Sequence, residues 1–261
     1  MKNILRSIAF GLSAFVLVAH AEEAPLKFAV IAEPYPPFSE KRPDGSWQGF
    51  EVDLIHHICA EMKTKCEIVD TAWDGIIPAL QASKVDVIFS SMTVTPERSK
   101  HVLFTHPYYF TRPSVVGQPG QKFNFSKEDM SSKVVGAQTS TISGSYLKLK
   151  LDGISQIRYY DTQEAVNSDL LAGRIDFEMA DNILLQSFLK TAGGGLQFYG
   201  VVPYDPILGG GVAAALRPAD TELAAQLNKV IDAMVVSDFF KNLSNRYFGT
   251  NISPVNEQAA N

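Results

Sequence analysis

Short apolar strands alternating with amphipathic helices, twice over, constrain this chain more than any other feature. Residues 28–31, 66–69 and 85–89 read as strands separated by helices at 50–62 and 73–82. A second series has strands at 133–136, 156–160, 175–178 and 197–201, with helices at 142–151, 162–172 and 182–190. This pattern predicts mainly parallel sheets covered on both faces. The first helix places Phe50, Leu54, Ile55, Ile58, Cys59 and Met62 on one side, and Pro78 fits the second only near its first turn. A strand within 211–216 and helices at 221–236 and 238–248 complete the chain. Two segments read as crossings between lobes: the extended stretch 108–116 and the run Gly209-Gly210-Gly211. They predict a discontinuous first lobe, 25–111 plus 212–250, a second lobe at 112–211 and a flexible tail at 251–261. A single large α/β domain is the other arrangement the pattern allows. Two hinged lobes would create the cleft where pockets and closure motions occur.

Lys2 and Arg6, an apolar stretch at 8–18 and Ala19-His20-Ala21 form a secretory signal pattern, with cleavage expected after Ala21. Its apolar run is shorter than the ~20 residues a spanning helix needs. A soluble product in an exported, periplasmic compartment is expected. Removing Lys2 and Arg6 takes the formal charge from −5 to −7, which argues against nucleic acid as a partner. Cys59 and Cys66, an even pair in an exported chain, point to a disulfide, two buried thiols being the other reading. A continuous helix would separate them by roughly 10.5 Å along its axis, beyond the ~7 Å Cα limit for a bridge. The helix therefore has to stop between them, near Lys63 or Thr64.

At the end of strand 85–89 the chain reads Ser90-Ser91-Met92-Thr93-Val94-Thr95-Pro96-Glu97-Arg98. Arg98 can pair with a carboxylate through two parallel hydrogen bonds, with the Ser90, Ser91 and Thr93 hydroxyls fixing its orientation. Ligands of open α/β sheets sit beyond such carboxyl ends. Thr95, Pro96 and Arg98 also read as a capped helix start, and both readings can hold together.

With Tyr35-Pro36-Pro37-Phe38, Gly49-Phe50-Glu51-Val52-Asp53-Leu54, the Cys59/Cys66 spacing, Trp73-Asp74-Gly75-Ile76-Ile77-Pro78, the 90–98 cluster and Ala172-Gly173-Arg174-Ile175-Asp176, the chain resembles periplasmic solute-binding proteins for polar amino acids. The nearest are the lysine/arginine/ornithine, histidine and arginine binders. The resemblance implies the type II periplasmic binding protein fold: two Rossmann-like α/β lobes joined by a two-segment hinge. It implies a monomer that captures a polar, basic L-amino acid or an opine and delivers it to the membrane permease of an ABC importer, with no cofactor or metal. Arg98 would clamp the ligand α-carboxylate, helped by Thr93 and Thr141. Ser91 and Asp181 would take the α-ammonium, with Ser90 and Ser140 beside them. Tyr35 and Trp73 would wall the side-chain pocket. Glu33 would supply the distal negative charge if this loop is one residue shorter than the family's. Thr139, in Gln138-Thr139-Ser140-Thr141, stands where the family commonly has glycine. Asp181 also reads as a helix N-cap.

The resemblance extends to cyclohexadienyl dehydratases, exported enzymes that need a general acid, for which Glu178 or Glu33 would be the candidates. The zwitterion clamp favours binding. Ser143-Gly144-Ser145 lacks the context of a hydrolase elbow, and His56-His57, on adjacent helical positions, cannot chelate one ion from one face. His101 and His106 read as surface residues. A ligand-sensing protein is a third class, which would need a signalling domain after the lobes.

Overall fold

The structure is a computed structural model describing residues 24–254. The signal pattern and the tail beyond 254 lie outside the described residues. The chain runs through β1 (Leu26–Ile31), the hairpin β2 (Glu40–Lys41) and β3 (Trp47–Gln48), α1 (Phe50–Met62), β4 (Cys66–Thr71), α2 (Ile76–Gln81), β5 (Val87–Ile88) and β6 (Leu103–Phe104). It continues through β7 (Pro113–Gly117), α3 (Lys127–Met130), β8 (Val134–Gln138), α4 (Ile142–Leu151), β9 (Gln156–Tyr160), α5 (Gln163–Leu171), β10 (Phe177–Asp181), α6 (Asn182–Thr191) and β11 (Gln197–Val201). The last elements are β12 (Ala215–Leu216), α7 (Thr221–Val235) and α8 (Asp238–Phe248).

Two five-stranded sheets form, ordered β4-β1-β5-β12-β6 and β11-β7-β10-β8-β9. In each, three strands are parallel and share one order: β4-β1-β5 corresponds to β9-β8-β10. The remaining pairings run through β12 in the first sheet and β7 in the second and are antiparallel, so parallel pairing is confined to one half of each sheet. Period-2 alternation divides the core by face. Phe28 and Val30 of β1 pack with Phe50, Leu54 and Ile58 of α1, while Ala29 packs with Ile76 and Leu80 of α2. The second sheet is covered likewise, Phe177 and Met179 facing one cluster and Ala180 the other.

α1 stops at Met62 and Lys63 takes the left-handed conformation (φ 52°), which brings Cys59 and Cys66 to a Cα separation of 6.2 Å, where they are bonded. Gly49 precedes α1 at φ 129°; a Cβ there would lie 2.2 Å from the Phe38 carbonyl oxygen. Only glycine lets the Tyr35–Phe38 turn sit against the helix start.

Some elements differ from expectation. The 73–82 helix divides into a 3-10 turn at Trp73–Gly75 and α2. The Thr-Pro-Glu-Arg start yields only a 3-10 turn, Arg98–Lys100, because buried Val102 draws the chain into β6. The strand expected at 175–178 runs Phe177–Asp181: Asp176 is held at the start of β8, its N–H donating to the Val134 carbonyl and its carboxylate accepting from the Val134 N–H.

Candidate functional site

The loop after β5 is fixed from behind. Ser90 Oγ accepts from the Ile31 N–H at 2.9 Å, joining the ends of β5 and β1. Ser91, at φ 48°, donates its N–H to Glu51 Oε1 at 2.7 Å and its hydroxyl to Oε2 at 3.1 Å. Tyr108 donates to the same carboxylate at 2.7 Å, and the single Tyr109 hydroxyl proton is shared between Glu51 Oε1 at 3.1 Å and Ser91 Oγ at 2.7 Å. Glu51 is fully buried. Burial raises its carboxyl, against four hydrogen bonds that favour the ionised form. With its proton given to Glu51, Ser91 Oγ keeps acceptor capacity for a ligand N–H. Gly209 (φ 85°) lies against the same loop, where a Cβ would be 2.4 Å from the Val94 carbonyl oxygen.

Arg98 donates from Nη1 to the Thr93 carbonyl at 2.9 Å and from Nη2 to the Ser140 carbonyl at 3.0 Å, and its guanidinium lies 5.3 Å from the Trp73 ring centroid. The Ser140 contact crosses from the first sheet's loops to the second's. Desolvation lowers Arg98 to about 10, so it stays cationic near neutrality. Thr95 Oγ1 accepts from the Arg98 N–H at 3.2 Å, so this loop caps its turn as well as presenting the guanidinium.

On the facing wall Thr141 caps α4, its Oγ1 accepting from the Gly144 N–H at 3.1 Å and donating to the Gln138 carbonyl at 2.7 Å. The left-handed residue of this loop is Ser140 (φ 58°), not Thr139. Asp181 ends β10 and caps α6, accepting from the N–H groups of Ile183 (2.8 Å) and Leu184 (3.3 Å). Burial raises its carboxyl to about 6 although Thr111 and these amides hydrogen-bond to it.

These groups border one cavity enclosing about 630 Å³ between the two sheets, part of it open to solvent. Tyr35, Trp73, Ser90, Ser91, Thr93, Arg98, Thr141 and Asp181 all line it. Tyr35 packs against apolar clusters of both sheets, and burial with nearby carboxylates holds its phenol in the protonated form. The Trp73 indole N–H is buried with no partner among the described residues. Two expected residues stand outside the lining. Ser140 contributes its carbonyl to Arg98 and borders outer grooves. Glu33 accepts from Gln138 Nε2 at 2.8 Å across the interface, its carboxyl raised chiefly by burial. Glu178 is fully buried behind the wall, hydrogen-bonded to Gln163.

Sequence reasoning assigned no role to Thr111, Gln138 and Gln163, which line the cavity, or to the buttress Glu51. Glu51 left a trace: it precedes Leu54, Ile55 and Ile58 by helical spacings, which puts a carboxylate on the apolar face of α1. The other three left none. Among the described residues no group of three or more His, Cys, Asp or Glu could hold a metal. His57 stacks on Phe239 and His106 pairs with Asp232. No helix of the described residues is long and apolar enough to cross a membrane.

Comparison with known proteins gives the family. The L-arginine-binding protein of Pseudomonas aeruginosa is 39% identical over 257 residues, covering 97% of this chain and 98% of the relative. An ancestral arginine-binding protein, solved with arginine, superposes with a TM-score of 0.79 at 29% identity, covering 87% of this chain and 100% of that one. An ancestral amino acid-binding protein described as a precursor of cyclohexadienyl dehydratase superposes at 0.75 with 29% identity, covering 86% and 95%. The family model for bacterial extracellular solute-binding proteins, family 3, matches residues 27–250. With that match spanning nearly all the described residues, and a relative of this similarity along its whole length, the chain belongs to family 3 of the bacterial extracellular solute-binding proteins.

Proposed function

We propose that this chain is an extracytoplasmic receptor that captures a basic L-amino acid and presents it to an ABC importer. The observation that carries the reading is the placing of a guanidinium, Arg98, and a carboxylate, Asp181, on facing walls of one cavity. A free amino acid needs a fixed cation for its carboxylate and a fixed anion for its ammonium, each costly to bury alone. Arg98 takes the carboxylate; Asp181 and Ser91 take the ammonium. Because those charges belong to different sheets, a ligand touching both favours the closed arrangement by its differential affinity for it. The permease then distinguishes the closed receptor from the open one. The basic ligand follows from the arginine-binding relatives and from the Trp73 wall, which already holds a guanidinium.

The remaining elements of the reading are a first lobe of 25–111 and 212–250, a second lobe of 112–211, cleavage after Ala21, a periplasmic location and a monomeric state. The receptor performs no catalysis. The dehydratase precursor among the structural neighbours makes turnover of prephenate or arogenate the outcome that would reverse this. Titration calorimetry with arginine, lysine, ornithine, histidine, opines and neutral amino acids tests the reading. A basic amino acid is expected to bind, and Arg98→Ala to weaken it by about 2–5 kcal/mol, the cost of removing one member of a buried charge pair. Silence across the panel would sink the proposal.

A further inference from the structure

Beyond the zwitterion clamp, the cavity wall carries two amides, Gln138 at the end of β8 and Gln163 at the start of α5, both buried. Gln138 Nε2 donates to Glu33 Oε1 at 2.8 Å and to the Asp161 carbonyl at 3.0 Å. Gln163 Nε2 donates to Asn167 Oδ1 at 2.9 Å and to Glu178 Oε1. A primary amide has two N–H donors, so each is spent wholly on the protein. What each side-chain amide has left is its Oε1 oxygen, and neither Oε1 accepts a hydrogen bond among the described residues.

Glu178 behaves as an anchor. It sits two residues before Ala180, which lines the cavity. Burial raises its carboxyl to about 8. The Asn167 amide end that accepts from Gln163 also lies 2.8 Å from Glu178 Oε1. A protonated Glu178 donates to that oxygen while accepting from Gln163, which joins the three side chains in one hydrogen-bonded ring.

We propose that the Gln138 and Gln163 carbonyl oxygens are the side-chain recognition pair of this site, accepting N–H donors from a nitrogen-bearing ligand side chain, with Glu33 and Glu178 as positioning residues that hold both amides in that orientation. The proposal rests on the receptor reading above and specifies how the side chain is chosen. An unpinned glutamine rotates to offer N–H to an acceptor ligand. A pinned one cannot, so guanidinium, ammonium and imidazole groups are taken and a carboxylate meets acceptors only. Neutral acceptors also avoid burying a second formal charge opposite the ligand.

Calorimetric titration of the full chain with arginine, norleucine and glutamate tests this. Gln163→Leu and Gln138→Leu are each expected to lower the arginine-over-norleucine affinity ratio by about tenfold or more, the range for a hydrogen bond to a charged group. Norleucine affinity should stay within about threefold, which also reports that the variant is folded. Glu178→Gln should keep the ratio, because its carbonyl still accepts from Gln163, whereas Glu178→Met should lower it by about tenfold and admit glutamate. An unchanged ratio in both leucine variants would overturn the proposal. So would a Glu178→Gln variant as impaired as Glu178→Met, since Glu178 would then act by charge. If the unmodified chain binds neither these three nor any basic amino acid of the panel above, the receptor reading fails and this proposal with it; if it binds arginine and the ratios do not move, only this proposal fails.

Discussion

The two walls of the cavity occupy the same topological place, beyond the carboxyl ends of β4-β1-β5 and β9-β8-β10, yet they are held in opposite ways. The first wall is braced by a buried acid: Glu51 accepts from a backbone N–H and three hydroxyls and so fixes Ser91 and both tyrosines. The second is made of helix starts, with Thr141, Thr162 and Asp181 capping α4, α5 and α6. Its hydroxyl and carboxylate groups are oriented one helix at a time, each by its own cap, and its two glutamines by separate acids, Glu33 and Glu178. A network concentrated on one carboxylate fails together when that carboxylate goes, whereas separate caps fail singly.

The most damaging test of that contrast is Glu51→Ala. It leaves the Ser91 N–H and the Tyr108 hydroxyl without an acceptor, at about 1–3 kcal/mol for each group, while Tyr109 keeps Ser91 Oγ. Denaturant unfolding should show a loss of several kcal/mol, with Glu51→Gln losing less. A loss below about 1 kcal/mol would mean that the first wall is not braced this way.

The Cys59–Cys66 bond lies in the first sheet's half of the chain, and the described residues hold no free cysteine. Replacing both cysteines by alanine should cost about 2–3 kcal/mol on the loop-entropy scale for so short a ring, measured by the same unfolding. Ligand affinity should change little, because neither cysteine lines the cavity.

Acid separates the walls by charge. Arg98, at about 10, stays protonated through neutral and acid pH, while the Asp181 carboxyl is raised to about 6. Because the folded pKa of Asp181 lies above its usual value, acidification through about 6 favours the folded, unliganded protein as far as this group is concerned. The ligand ammonium needs the ionised form, so affinity is lost over the same interval. Calorimetry from pH 8 to 5 should therefore show constant affinity above about 7, then weakening that approaches tenfold per unit below 6. A decline already complete between pH 8 and 6.5 would contradict the assignment of this titration to Asp181.

The smallest effect is expected from Thr141→Val, which removes a single cap, about 1 kcal/mol. A larger loss would show that the caps of the second wall are coupled after all.

Much of the architecture was legible because it is local. Helix periodicity gave α1, α4 and α8 end to end, and the reach of a disulfide fixed where α1 had to stop. The hydroxyl and arginine cluster stood out because its residues are contiguous and follow an apolar strand. The β2–β3 hairpin and β6 were missed, as they are strands of two residues with no period to read.

Sequence alone determined the alternation of elements, the cluster that carries Arg98 and where α1 must end for Cys59 and Cys66 to bond. Tertiary structure decided which groups meet across the cavity: Glu33 reaches Gln138 over a separation of 105 residues, and Arg98 reaches Ser140 over 42. Propensity and periodicity arise from neighbours within a turn or two of chain. Contacts between sheets depend on strand order and on how two packed lobes face each other, which no local pattern of side chains encodes.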